Sequence, residues 1–376
     1  MALVAALPVA LAGCADDQQA EPVPAGSSAG PVTPTAVGTS SAPAPVPRAA
    51  AGVRVVRTVA TGLDVPWGLA ELPDGRVLVG ERDTGRIDWL DVASGQRRTI
   101  GRVAAAVSNV ASGGEAGLLG LAVSPRFAHD RRVYAYYSTG HDNRIAWLPL
   151  RHGRLGRPHV ILAGIPLGIH HDGGRLAFGP DGLLYAGTGE TGVPDLAQQR
   201  SSLGGKILRM TRTGRAAPGN PFGTLVYSYG HRNVQGLAFD PDGRLWASEF
   251  GDHTADELNL IEAGRDYGWP VVEGMGSDPA YTNPVATWGT DEDSPSGIAY
   301  AHGAIWMAAL HGARLWRIPL HGASAGQPQA FLTDRFGRLR SVLALGPHQL
   351  LVTTSNRDGR GTVRPGDDRI LLLRVR

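Results

Sequence analysis

One short phrase recurs along this chain and restricts its fold more than any other feature. The clearest copies are Gly68-Leu69-Ala70-Glu71-Leu72-Pro73-Asp74-Gly75-Arg76-Val77-Leu78-Val79, Leu176-Ala177-Phe178-Gly179-Pro180-Asp181-Gly182-Leu183-Leu184-Tyr185 and Gly236-Leu237-Ala238-Phe239-Asp240-Pro241-Asp242-Gly243-Arg244-Leu245-Trp246. Pro-Asp-Gly makes a turn for a stated reason: Pro presets φ, Asp closes a side-chain-to-backbone hydrogen bond, and Gly takes a positive φ. The flanks alternate or run apolar, so each phrase reads as a β-hairpin. Weaker copies lie at Leu121 to Tyr137, where Ser124-Pro125-Arg126-Phe127 makes the turn, at Ile298 to Ala308, and at Val342 to Thr353. Six hairpins about 45 to 60 residues apart, with no sustained helical period, predict an all-β six-bladed β-propeller. Two stacked sandwiches would not explain a turn phrase repeated six times.

Composition agrees with packed sheets. The 376 residues include 52 Gly, 27 Pro and 8 Trp against 4 Met, which suits turns and sheets rather than helices. Lys+Arg number 36 against 34 Asp+Glu, so no basic surplus points to nucleic acid as a partner. Lys206 is the only lysine.

Cys14 is the only cysteine and cannot form an internal disulfide. The run Met1 to Leu11 is apolar and too short to span a bilayer as a helix. Leu11-Ala12-Gly13-Cys14 follows it and resembles the lipobox of bacterial lipoproteins, in which the peptide is cut before Cys and the new terminus carries lipid. The rival reading is an ordinary signal peptide cut elsewhere. Residues 15–51 are Pro-, Ala- and Ser-rich without apolar periodicity, and such a segment cannot bury enough surface to order itself. The expected organisation is a lipoprotein signal over 1–14, a disordered tether over 15–51 and a propeller over 52–376. The chain would then be held outside the cytoplasmic membrane through lipid on Cys14.

A propeller presents loops from several blades to a ligand on its axis, so functional residues should be spread through the chain. Three loops stand out. Gly168-Ile169-His170-His171-Asp172-Gly173-Gly174 with Gly187-Thr188-Gly189-Glu190 offers a histidine base and an orienting carboxylate. Tyr229-Gly230-His231-Arg232-Asn233-Val234-Gln235-Gly236 suits a planar anion bearing carboxylates and carbonyls. Glu249-Phe250-Gly251-Asp252-His253-Thr254-Ala255-Asp256-Glu257, followed by Asp266-Tyr267-Gly268-Trp269-Pro270, is rich in oxygen ligands of the kind calcium takes.

Taken in order, these loops resemble those of the pyrroloquinoline-quinone-dependent aldose sugar dehydrogenases, the glucose/sorbosone dehydrogenase family. The resemblance runs from about Val65 to Leu373. It rests on Gly114-Glu115-Ala116-Gly117-Leu118-Leu119-Gly120-Leu121-Ala122, the His171 loop, Gly230-His231-Arg232-Asn233-Val234-Gln235-Gly236-Leu237 and Asp256-Glu257-Leu258-Asn259-Leu260-Ile261. It implies oxidation of an aldose to a lactone with pyrroloquinoline quinone (PQQ) and Ca2+, the electrons passing to an external acceptor. His171 then stands at the position of the general base, Glu190 at that of its orienting carboxylate, and Arg232 and Asn233 at cofactor contacts. Carbonyls around Gly251 and Asp252 would hold calcium on the cofactor, and Glu257 with Tyr267 a structural calcium. Arg338-Leu339-Arg340 resembles an element that pairs with cofactor carboxylates, and strand alternation puts both arginines on one face.

Four positions depart from that pattern. His311 stands where relatives carry Lys. Glu115 stands where Gln is common, and an ionised Glu115 would repel an anionic cofactor unless it is paired. Phe250 and Asp252 replace Gln and Pro of the glucose-oxidising relatives. Tyr281 and Trp288, in or beside a divergent loop over 273–288, suit either stacking on a sugar or core packing. The alternatives to the dehydrogenase are a calcium-dependent lactonase or hydrolase, which needs ligands converging from several blades, and a binding propeller without catalysis.

Overall fold

A computed structural model describes residues 52–376. The signal and tether segments, Cys14 among them, lie outside the described residues. Among those described, no helix is long and apolar enough to cross a membrane.

The six hairpins of the sequence phrase are the two innermost strands of six blades. Their first strands are Pro66–Glu71, Leu118–Val123, Leu176–Phe178, Val234–Phe239, Pro295–Ala301 and Leu339–Ala344, each paired antiparallel with the strand that follows it. Each blade continues outward through a third and a fourth strand. The last blade takes its outermost strand from the beginning of the propeller: Val53–Ala60 pairs with Ile370–Val375. The ring is therefore closed by the two ends of the described chain.

The turns behave as the phrase predicts. Gly75, Gly182 and Gly243 have φ of +82°, +73° and +80°, and each donates its N–H back three residues, to the carbonyls of Leu72, Gly179 and Asp240. Asp74 and Asp181 accept from the N–H two residues on, as expected. In the third copy Asp240, not Asp242, accepts from the N–H groups of Asp242 and Arg244, because the extra Asp before Pro reaches them first.

Period-two alternation supplies the core. In Val77–Glu81, Leu78 packs toward the second blade while Val77 and Val79 pack toward the sixth. In Gln349–Thr354, Leu350 and Val352 face the fifth blade and Leu351 faces the first. Leu184 and Ala186 face the second blade and Tyr185 the fourth. Six apolar clusters result, one between each pair of neighbouring blades. Both faces of each sheet are buried, so the strands read as apolar runs. Trp288 is one of these core residues, packed with Trp316 between the fourth and fifth blades, and its ring is spent on packing rather than on a sugar.

Candidate active site on the propeller axis

The first strand of each blade runs away from one end of the propeller and the second returns to it. Loops that enter first strands or leave second strands therefore gather at that end. Glu115, His171, Arg232, Asn233 and Arg338 come from loops entering first strands, with Arg340 just inside one. Glu190, Gly251, Asp252 and His311 come from loops leaving second strands.

His171 sits in the left-handed region at φ +62°, a conformation that a non-glycine residue keeps only when its surroundings impose it. Its N–H donates to Glu115 Oε2 at 3.3 Å, and its carbonyl accepts from the Thr191 N–H at 3.2 Å. A Cβ at Gly189 would run into that carbonyl, so glycine is required there. The result is a contact of 2.5 Å between His171 Nδ1 and Glu190 Oε1. The Glu190 side chain is 2% exposed and the imidazole 20%, so the carboxylate stays inside while the ring faces outward. A proton held on Nδ1 by this carboxylate leaves Nε2 as the acceptor. Glu190 is tied to the next blade: its N–H donates to the Arg232 carbonyl at 2.8 Å. Below the pair lies Asp172, whose carboxyl burial pushes up to about 7 even though Asn143 and the Gly168 N–H donate to it.

Arg232 is clamped from behind by Glu249, which accepts its backbone N–H at 2.5 Å and also holds His231 Nδ1 at 2.7 Å. The Arg232 guanidinium donates to the Gly251 carbonyl and, at 2.6 Å, to Asp252. The Gly251 carbonyl is one of the oxygens that the sequence assigns to calcium, whereas the Asp252 contact is to its carboxylate. Asn233 Oδ1 accepts the Gly173 N–H at 3.0 Å, while its Nδ2 is buried without a partner. Arg232 Nε and Glu190 Oε2 are buried and unpartnered as well. Buried polar groups of this kind are normally satisfied, so three of them in one shell mark a place built for a polar ligand.

Arg338, just before the strand Leu339–Ala344, and Arg340, within it, reach the same partner: both donate to Asp358 Oδ2, each at 3.0 Å. His311 is exposed and lines the same pocket as Arg338 and Arg360. Glu115 is paired after all. Arg360 reaches it at 3.3 Å and also contacts His170, so the repulsion expected from an unpaired carboxylate is relieved.

Glu257 and Tyr267 line a small cavity with Glu249, Gly251 and Glu273. Burial, and then the neighbouring Glu249, push the Glu257 carboxyl up to about 8. Tyr267 packs its ring on His231 at 4.6 Å. Among the described residues, no group of three or more His, Cys, Asp or Glu forms a metal cluster. A divalent ion there would rely on carbonyl oxygens beside the three glutamates, a donor type calcium accepts.

Sequence reasoning missed Asp358, Arg360 and Glu273. Glu273 accepts backbone N–H groups from Asp252 to Ala255 and so shapes the acidic loop. Asp358 and Arg360 sit in an Arg-Asp-Gly-Arg run that reads as a solvated turn.

The fold and site together define a six-bladed propeller with a carboxylate–imidazole pair and several arginines gathered at one end of its axis. Residues 63–372 match the Glucose / Sorbosone dehydrogenase family, and the chain belongs to it. A solved PQQ-bound aldose sugar dehydrogenase from Streptomyces coelicolor is 54% identical, covers 88% of this chain and 100% of its own, and superposes with a TM-score of 0.85. Aldose sugar dehydrogenase YliI of Escherichia coli is 30% identical over 336 residues, 79% of this chain and 89% of that protein. Quinoprotein glucose dehydrogenase B of Acinetobacter calcoaceticus is 34% identical over 260 residues, 60% of this chain and 54% of that protein.

Proposed function

We propose that this protein oxidises aldose sugars to lactones with PQQ and Ca2+, using His171 as general base. The observation that carries the reading is the 2.5 Å contact between His171 and Glu190, set in the same shell as the unpartnered amide of Asn233. Bound PQQ supplies the two-electron acceptor. His171 Nε2 takes the proton from the anomeric hydroxyl, and Glu190 stabilises the imidazolium that forms. Arg232 and Asn233 would contact the quinone, and Arg232 would stabilise negative charge developing on it. Arg338, Arg340 and His311 would meet the cofactor carboxylates, with the charge of Glu115 paired by Arg360. Calcium would sit on the carbonyls around Gly251 and Asp252, and a structural calcium at Glu257 and Tyr267.

Electrons would leave to an external acceptor. Leu11-Ala12-Gly13-Cys14 supports anchoring outside the cytoplasmic membrane through lipid on Cys14. The lactonase reading has less support, since the carboxylates that other blades bring to this end, Glu115, Glu190 and Asp358, are taken up by Arg360, by His171 and by Arg338 with Arg340.

The test is reconstitution: add calcium and PQQ to the purified protein and follow dye reduction with a panel of aldoses. Turnover that needs both cofactors and falls at least a hundredfold in His171→Ala supports the assignment. Wild-type turnover in that variant with cofactor bound removes His171 from the chemistry. Saturable PQQ binding without turnover would leave the site standing and point to other substrates, whereas no PQQ binding at all would favour the binding propeller.

A further inference from the structure

Four arginines are buried among the described residues: Arg82, Arg175, Arg232 and Arg340. Three of them have a carboxylate within 3.0 Å, in Asp83, Asp252 and Asp358 respectively. Arg175, 8% exposed, has no carboxylate partner among the described residues. Its Nε–H donates to the Gln235 carbonyl at 2.7 Å and its Nη2 to Ser341 Oγ at 3.2 Å. The guanidinium lies over the Trp67 ring at 4.1 Å. A Cβ on Gly297 would stand 3.0 Å from Nη2, so glycine leaves room for the charge.

Those neighbours come from four blades and Arg175 from a fifth, which places the guanidinium on the propeller axis. They also adjoin the site. Arg175 follows His171 by four residues, Gln235 follows Asn233 by two, and Ser341 follows Arg340 directly. Gln235 Oε1 in turn accepts from Arg340 Nη1 at 3.3 Å. Arg175 thus forms the floor under the residues assigned to the cofactor.

A clamp between blades needs donors but not a charge. An unpaired buried cation is costly, and the ring face of Trp67 returns only a part of that cost. Burial, with some help from Arg340, pulls the Arg175 guanidinium down to about 9, the same penalty seen from the proton's side.

We propose that Arg175 is an uncompensated axial cation whose missing counter-charge is the bound cofactor. The inference rests on the PQQ reading above. PQQ carries three carboxyl groups and is a polyanion at neutral pH, so the empty protein holds a charge imbalance that cofactor binding relieves. Arg175 is in this view a binding-energy residue rather than a catalytic one.

The experiment is a PQQ titration of the full purified apoprotein, read by quenching of protein fluorescence, with the thermal midpoint of each apoprotein alongside. One unit charge acting on an anion some 6 Å away at an effective dielectric near 20 predicts a loss of roughly 100-fold in affinity for Arg175→Met. The apoprotein midpoint should fall by no more than a few degrees, because the charge lost is one that burial disfavours. Arg175→Lys keeps the charge and should bind within about tenfold of wild type. Arg175→Gln keeps a donor for the Gln235 carbonyl and should bind as weakly as Arg175→Met; it also serves if Arg175→Met does not fold. Neutral variants within threefold of wild type would overturn the proposal, as would Arg175→Lys binding no better than Arg175→Gln. If wild type itself fails to bind PQQ, the functional reading falls and takes this one with it; tight wild-type binding with unaltered variants removes this inference alone.

Discussion

Asp358 offers a quantitative test of how the anion cradle is built. Its carboxylate is 2% exposed and accepts from Arg338 Nε, Arg340 Nη2 and Ser355 Oγ on one oxygen, and from the Arg360 N–H on the other. Burial alone would raise its pKa, but the Arg340 and Arg338 guanidiniums outweigh burial and hold the carboxyl below the usual value. Asp358→Asn preserves shape and the Arg360 contact while leaving two guanidiniums without counter-charge. Breaking a buried pair typically costs 3–5 kcal/mol, and the amide retains one neutral acceptor, so about 3 kcal/mol is expected. For a domain of about 325 residues at roughly 2.1 cal/mol/K per residue, that lowers Tm by about 4 °C. The loss should depend on pH. A depressed carboxyl contributes stability above its unfolded pKa of 3.8, and the contribution disappears as pH falls through the folded value. The deficit in apoprotein Tm between wild type and variant should therefore be full at pH 7 and narrow as pH falls below 3.8. A variant within 1 °C of wild type at pH 7, or a deficit that persists in acid, would refute the charge argument.

Three further outcomes follow from the same geometry. Glu190→Gln should keep PQQ binding but lower kcat by about 100-fold or more, because an amide no longer holds the Nδ1 proton or stabilises an imidazolium; unchanged kcat would dissociate Glu190 from His171. Asp172→Asn should leave stability unchanged near pH 4 and raise Tm above pH 7: with a folded value of about 7, the buried carboxyl contributes stability at low pH that is lost as pH rises. Equal pH profiles for wild type and Asp172→Asn would count against that burial penalty. Lys206 is fully buried and donates from Nζ to the carbonyls of Leu196, Ala197 and Gly204 at 2.6–2.8 Å. An amine-reactive reagent followed by mass spectrometry should therefore miss this only lysine in the native protein and label it after denaturation.

The sequence determined the architecture by itself because the information is local. A Pro-Asp-Gly turn and its flanking alternation are complete within a dozen residues, and six repeats leave few ways to bury both faces of every hairpin. The chemistry-bearing loops were legible for a related reason. His171, Glu190, Arg232 and Asn233 stand in glycine-flanked phrases that a plain blade does not need. Tertiary structure alone decided which charges meet. Glu115 and Arg360 are far apart in the chain, and only closure of the ring brings a loop of the sixth blade to a loop of the second and turns an expected repulsion into an ion pair at 3.3 Å. Asp358 reads as a surface turn until the RxR strand is laid beside it. Trp288 could face a ligand or a core until the fifth blade packs on it. Arg175 shows the limit most clearly: a strand arginine in sequence becomes an axial charge because five blades converge on one point, and that convergence is a property of the closed ring.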